Sequence, residues 1–115
     1  MNVVKSTGLL FVLVFGLGVM PAFSGEASVK ILSPAEGAKL VASARNKITY
    51  DVTPGPRGDH THLYVDGAEA AVLRKLKGDY DLKPLARGDH DICVKVVDKG
   101  HTPIGVERCV KVVAQ

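Results

Sequence analysis

HDICVKVVDKGHTPIGVERCVKVV, residues 90–113, holds two alternating runs of apolar and polar residues joined by a segment rich in turn formers. The alternation of Ile92, Val94 and Val96 against Asp91, Cys93 and Lys95 marks a strand with one buried face. The second run, GVERCVKVV, reads the same way, and Gly100 and Pro103 break the chain between them. Pairing the runs as a hairpin in which partner numbers sum to 202 sets Cys93 opposite Cys109, Lys95 opposite Glu107 and Asp91 opposite Lys111. On the other face Ile92 meets Val110 and Val96 meets Val106. One register thus satisfies a disulfide, two opposite-charge pairs and two apolar pairs, which random pairing would rarely do. Arg108 opposite Val94 is the misfit. The cross-link closes a loop of seventeen residues, for which chain entropy alone gives a stabilisation of about 3 kcal/mol.

Working outward, the rest of the chain also reads as short strands between turns. VKIL (29–32) precedes SPAEG, a loop marked by proline and glycine. NKITYDV (46–52) alternates Ile48, Tyr50 and Val52 against polar neighbours. TPGPRGD (53–59) is too rich in proline and glycine for a sheet interior. HTHLYVDG (60–67) sets Leu63 and Val65 on one face and His60, His62 and Tyr64 on the other, then ends in a DG hairpin signal. Residues 68–78, AEAAVLRKLKG, fit a short helix closed by Gly78 or an edge strand followed by a loop. The surrounding sheet favours the second. DYDLKPL (79–85) alternates until Pro84 stops it. About seven short strands and no convincing long helix indicate an all-β antiparallel sandwich.

The first residues stand apart. One lysine in MNVVKSTG, the apolar run LLFVLVFGLGVM and the small residues of PAFSG follow the plan of a secretory signal peptide. Residues 1–24 are therefore expected to be cleaved after Ser24, leaving one domain over 25–115 that is periplasmic or secreted, with no retained membrane span. A retained anchor is the alternative. The chain has 15 basic and 12 acidic residues, and losing Lys5 with the leader reduces the net charge from +3 to about +2. No basic block with interleaved aromatics is present, so nucleic acid is not an expected partner. Two cysteines in an exported domain favour one disulfide over a metal pair.

The pattern L-x-x-G-x-H-x-I-x-V-x-V-x-D, carried by Leu85, Gly88, His90, Ile92, Val94, Val96 and Asp98, resembles a late strand of bacterial immunoglobulin-like domains. The chain also resembles small exported bacterial domains of unknown function that carry a His-x-His strand and a later histidine-bearing loop. It departs from antibody domains in lacking both the inter-sheet cysteine pair and the core tryptophan. The resemblance implies a topology in which His60, His62 and His101 lie at one end of the sandwich and His90 at the other.

Side-chain phase adds to this. His90 is in step with Ile92 and Val94, and reads as a structural histidine closing the bottom of the core through a backbone hydrogen bond. His60 and His62 are out of step with Leu63 and Val65, so they are expected on the surface, pointing away from the core. Two imidazoles on one strand face and a third from a loop suit Cu(II) or Zn(II). Asp59 or Asp98 is expected to add an oxygen ligand or to orient a ring. The competing expectation is a metal-independent module that binds a protein or the cell envelope through loops and edge strands. Enzyme activity is not expected: an oxidised Cys93 is no nucleophile, and Ser28, Ser33 and Ser43 lack a nucleophile-elbow context. Arg-Gly-Asp occurs at 57–59 and 87–89, but both copies run directly into strands, a poor setting for a projecting adhesive loop.

Overall fold

The computed structural model describes residues 26–115; the expected leader and its cleavage point lie outside them. Eight strands follow in order: β1 (Ser28–Ser33), β2 (Ala38–Leu40), β3 (Asn46–Thr53), β4 (His60–Val65), β5 (Ala68–Leu73), β6 (Lys77–Leu82), β7 (Gly88–Val97) and β8 (Pro103–Ala114). They form two sheets, β1-β3-β6 and β2-β8-β7-β4-β5. No helix occurs among the described residues. Residues 68–73 are strand because β5 pairs with β4, a tertiary contact that overrides their helical propensity. Lys77 and Gly78 already belong to β6.

The all-β sandwich agrees with the expected one of about seven strands, the eighth being the short β2, a stretch to which the sequence reading gives no element. One detail is corrected: the sandwich is not wholly antiparallel, because Ala38–Leu40 pairs in parallel with Val112, Val113 and Ala114 of β8.

The β7–β8 hairpin keeps the register summing to 202 from Gly88↔Ala114 to Lys95↔Glu107. Cys93 and Cys109 are joined, Lys111 Nζ lies 2.8 Å from Asp91 Oδ1, and Lys95 Nζ lies 3.8 Å from Glu107 Oε1. Beyond Lys95 the register shifts, and Val97 faces Pro103. The expected Val96–Val106 pair falls inside this irregularity. Gly105, at φ +90°, supplies the left-handed backbone that accommodates the extra length on β8. Arg108 is exposed and lines an open groove with Lys30 and Leu32, so its charge keeps water although Val94 opposite is buried.

Inward side chains of both sheets fill the core. Ile92, Val94 and Val96 of β7 pack with Leu63 of β4 and Val110 and Val112 of β8, against Val29, Ile48, Tyr50, Val52 and Leu82 of the smaller sheet. Each fully buried aliphatic chain contributes about 1.5–3 kcal/mol.

The two Arg-Gly-Asp-His copies use glycine for different reasons. A Cβ on Gly58 would stand 2.2 Å from Pro54 O and 2.6 Å from a Val96 methyl, so close approach of the chain demands glycine. Gly88 has open space but sits at φ +121°, where a side chain is strained.

The second copy ends in His90, 13% exposed at its side chain. Its Nδ1 lies 2.6 Å from Asp66 Oδ2 and its Nε2 lies 2.7 Å from Ala86 O. Asp66 is the first residue of the DG turn, with φ +53° followed by Gly67 at +84°, and its Oδ1 accepts from Asp91 N at 2.9 Å. Because both ring nitrogens face acceptors, the cation satisfies both, and the hydrogen bond to Asp66 is the main cause that raises the His90 pKa. The same bond lowers the Asp66 pKa, helped by the Asp91 amide.

Reducing the disulfide, or replacing both cysteines by alanine, should lower unfolding stability by about 3 kcal/mol; chemical denaturation with and without reductant measures it. The His90–Asp66 pair gives a separate expectation in pH. His90 stabilises fully below its unfolded pKa near 6.5 and loses this as the pH rises through its raised folded value. Asp66 stabilises above its unfolded pKa near 3.8 and loses this as the pH falls through its lowered one. The difference in Tm between wild type and Asp66→Asn should therefore be largest near pH 5 and shrink toward pH 8.

Candidate metal centre

Strand β4 pairs with β7 so that Thr61, Leu63 and Val65 stand opposite Val96, Val94 and Ile92, on the core side. His60, His62 and Tyr64 therefore point to the outer face, as their phase requires. They are nevertheless not on the surface: His60 is 1% exposed and His62 3%. The expectation of exposed rings fails because the β7–β8 loop folds back over this face. Its His101 ring packs with centroids 4.7 Å from His60 and 5.1 Å from His62. His60 and His62 are themselves 5.2 Å apart.

Asp98 builds that loop. Its Oδ1 accepts from the Gly100 and Thr102 amides at 2.8 and 3.0 Å, and its backbone carbonyl accepts from His101 N at 2.9 Å. His101 adopts φ +69°, a left-handed turn that carries its ring back toward β4. Asp98 thus positions His101 through the backbone, and it is not among the side chains grouped around a possible ion. Arg57 fixes the other side of the loop, with Nη2 donating to Ile104 O at 3.3 Å.

The three rings converge on their nitrogens. His62 Nε2 and His101 Nδ1 are 2.9 Å apart, and one ligand atom from each of His60, His62 and His101 lies within 4.8 Å of the others. His60 Nδ1 meets Asp59 Oδ2 at 2.9 Å, so a proton on Nδ1 leaves Nε2 as a lone pair. That Nε2 is buried with no hydrogen-bond partner. His62 Nδ1 lies 3.3 Å from Glu69 Oε1, an ion-pair separation whose geometry falls short of a hydrogen bond. Burial lowers the His62 pKa, partly opposed by Glu69 and reinforced by His60 and His101. A neutral His62 is the form that ligates a metal. Cys93, Glu107 and Cys109 form a second group, but the disulfide removes both sulfurs from ligation.

Glu69 was missed from sequence. The register of β5 shifts between Leu63↔Ala71 and Tyr64↔Glu69, leaving Ala70 as an extra residue. This bulge turns Glu69 to the outer face beside Tyr64, where strict alternation would have put it opposite Val65 on the inner side.

No family model matches the sequence, and no curated protein matches it. Solved structures share its fold. A fibronectin(III)-like module of Clostridium thermocellum CbhA is 22% identical with a TM-score of 0.64, over 76% of this chain and 96% of the module. An engineered protein is 22% identical with a TM-score of 0.54, over 78% of this chain and 20% of its own. The Bacteroides ovatus protein SGBP-B of a mixed-linkage glucan utilization locus, solved with a mixed-linkage heptasaccharide, is 19% identical with a TM-score of 0.51, over 76% of this chain and 24% of its own. The chain thus spans only a fifth to a quarter of the last two proteins. At these identities the likeness is one of fold: an immunoglobulin-like sandwich of the kind found in fibronectin(III)-like and related bacterial modules.

Proposed function

We propose that the protein is an exported, non-enzymatic sandwich module that holds one divalent transition-metal ion, Cu(II) or Zn(II), at His60, His62 and His101. The observation that carries this reading is the buried, unpartnered Nε2 of His60 beside two further imidazole nitrogens. A buried acceptor left unsatisfied costs about 1–3 kcal/mol, and an ion would supply the missing partner. Metal–nitrogen bonds of about 2.0–2.1 Å to His62 Nε2 and His101 Nδ1, 2.9 Å apart, would enclose an angle of about 90°.

The ligand types support the choice of ion, since imidazoles without thiolate or thioether favour divalent copper or zinc. Three protein ligands leave a coordination position open, unlike the closed four-ligand set of a structural zinc site. His101 is exposed, so that position faces solvent and the ion would exchange. The disulfide supports an oxidising compartment, and no described helix is long and apolar enough to cross a membrane.

Calorimetric titration of residues 25–115 with Cu(II) and Zn(II) should show one ion per chain at micromolar or tighter affinity. His62→Ala and His101→Ala should each weaken it at least tenfold, and His90→Ala should leave it unchanged. Binding that survives the first two substitutions would sink the site, and no binding at all would sink it and favour the metal-independent module that recognises a protein or envelope surface.

A further inference from the structure

We infer that Asp59 and Glu69 act as a pair of carboxylate locks that hold both strand histidines in the Nδ1–H tautomer and match the site to a divalent rather than a monovalent ion. The inference rests on the metal reading above and assigns Glu69 a role that no motif marks.

The tautomers follow from contacts on each ring. A carboxylate only accepts, so His60 Nδ1, 2.9 Å from Asp59 Oδ2, must carry its proton. His62 has two arrangements available. With the proton on Nε2 it would donate to His101 Nδ1, and its bare Nδ1 would face the Glu69 carboxylate at 3.3 Å, lone pair against negative charge. With the proton on Nδ1 that repulsion becomes attraction, and His62 Nε2 accepts from His101 instead. The second arrangement wins. Both strand histidines then turn proton-free Nε2 atoms toward the cluster from a nearly dry face, with exposures of 1% and 3%. An ion would have no proton to move on either strand ring. The one proton to be displaced is that of His101 Nδ1, which donates to His62 Nε2 and would pass to the exposed edge of the His101 ring or to solvent.

Charge completes the match. Three neutral imidazoles carry no charge, and two carboxylates behind them carry −2, which balances a divalent ion and overbalances Cu(I) or Ag(I). Arg74 Nη1 lies 4.0 Å from Asp59 Oδ2 with its side chain 65% exposed, where solvent screens much of its effect. Glu69 is itself about half exposed, at 47% of its side chain. It sits on the edge strand β5, so its replacement should leave the fold intact.

The experiment compares wild type, Glu69→Gln and Glu69→Ala. Imidazole 15N–1H spectra of the metal-free protein should show Nδ1–H on His60 and His62; the amide oxygen of Gln preserves this for His62 and Ala loses it. Zn(II) affinity should fall about 10–100-fold in Glu69→Ala and by a smaller factor in Glu69→Gln, which removes the charge alone, while Ag(I) affinity should change less than threefold in Glu69→Gln. Nε2–H on His62 in wild type, or unchanged Zn(II) affinity in Glu69→Ala while His62→Ala loses binding, overturns the lock and leaves the histidine site standing. Absence of binding by wild type overturns the metal reading, and the divalent preference with it.

Discussion

The Cys93–Cys109 bond holds β7 against β8 in one register, and β7 also forms the other wall on which β4 aligns. The distances from His101 to His60 and His62 both pass through this central strand. His60 and His62 take their position from pairing with Val97 and Lys95. His101 takes its position from the loop that leaves β7 and returns as β8. A slip of one residue on either side of β7 would turn a whole set of side chains to the opposite face. The covalent link and the flanking pairs Lys95–Glu107 and Asp91–Lys111 oppose that slip. Valines at the same strand make the inner face equally intolerant of it.

Burying polar rings on the outer face of a sheet is an unusual use of the fold. The outer face of an antiparallel sheet ordinarily meets water, and two histidines there would be solvated without cost. Here a loop shaped by Asp98 and Gly105 excludes solvent from them, and the desolvation shows in the lowered His62 pKa. His90 at the far end presents the opposite arrangement. Both its nitrogens are supplied with acceptors, and its raised pKa favours the cation. His62 and His90 therefore have opposite protonation preferences: acceptors at both nitrogens dominate at His90, and desolvation dominates at His62 despite Glu69.

Much of this was legible beforehand where several local constraints coincided. The β7–β8 register was overdetermined by cysteines, charges and valines on a period of two. The direction of His60, His62 and His90 followed from phase alone. β2 was not legible because a three-residue parallel pair leaves no alternation to read. Residues 68–73 are helix formers by composition, and only pairing with β4 makes them strand. The burial of His60 and His62 depends on the path of a loop, which obeys hydrogen bonds to Asp98 rather than any periodicity. Glu69 was hidden by the extra residue at Ala70, which breaks the counting rule that phase arguments use. The Arg-Gly-Asp-His repeat carried half its meaning openly: both copies start strands, but one glycine answers to steric contact and the other to backbone conformation.

The Ala70 bulge has a consequence beyond the orientation of Glu69. β5 is the terminal strand of the larger sheet, and its sequence AEAAVL offers one charge and no proline to discourage another chain from docking alongside. A flat edge of that composition would be a template for intermolecular strand pairing. The extra residue kinks the edge and increases its local twist, so an incoming strand cannot stay in register along it. A single extra alanine thereby disturbs the free edge of the sheet as well as turning Glu69 toward the histidine cluster.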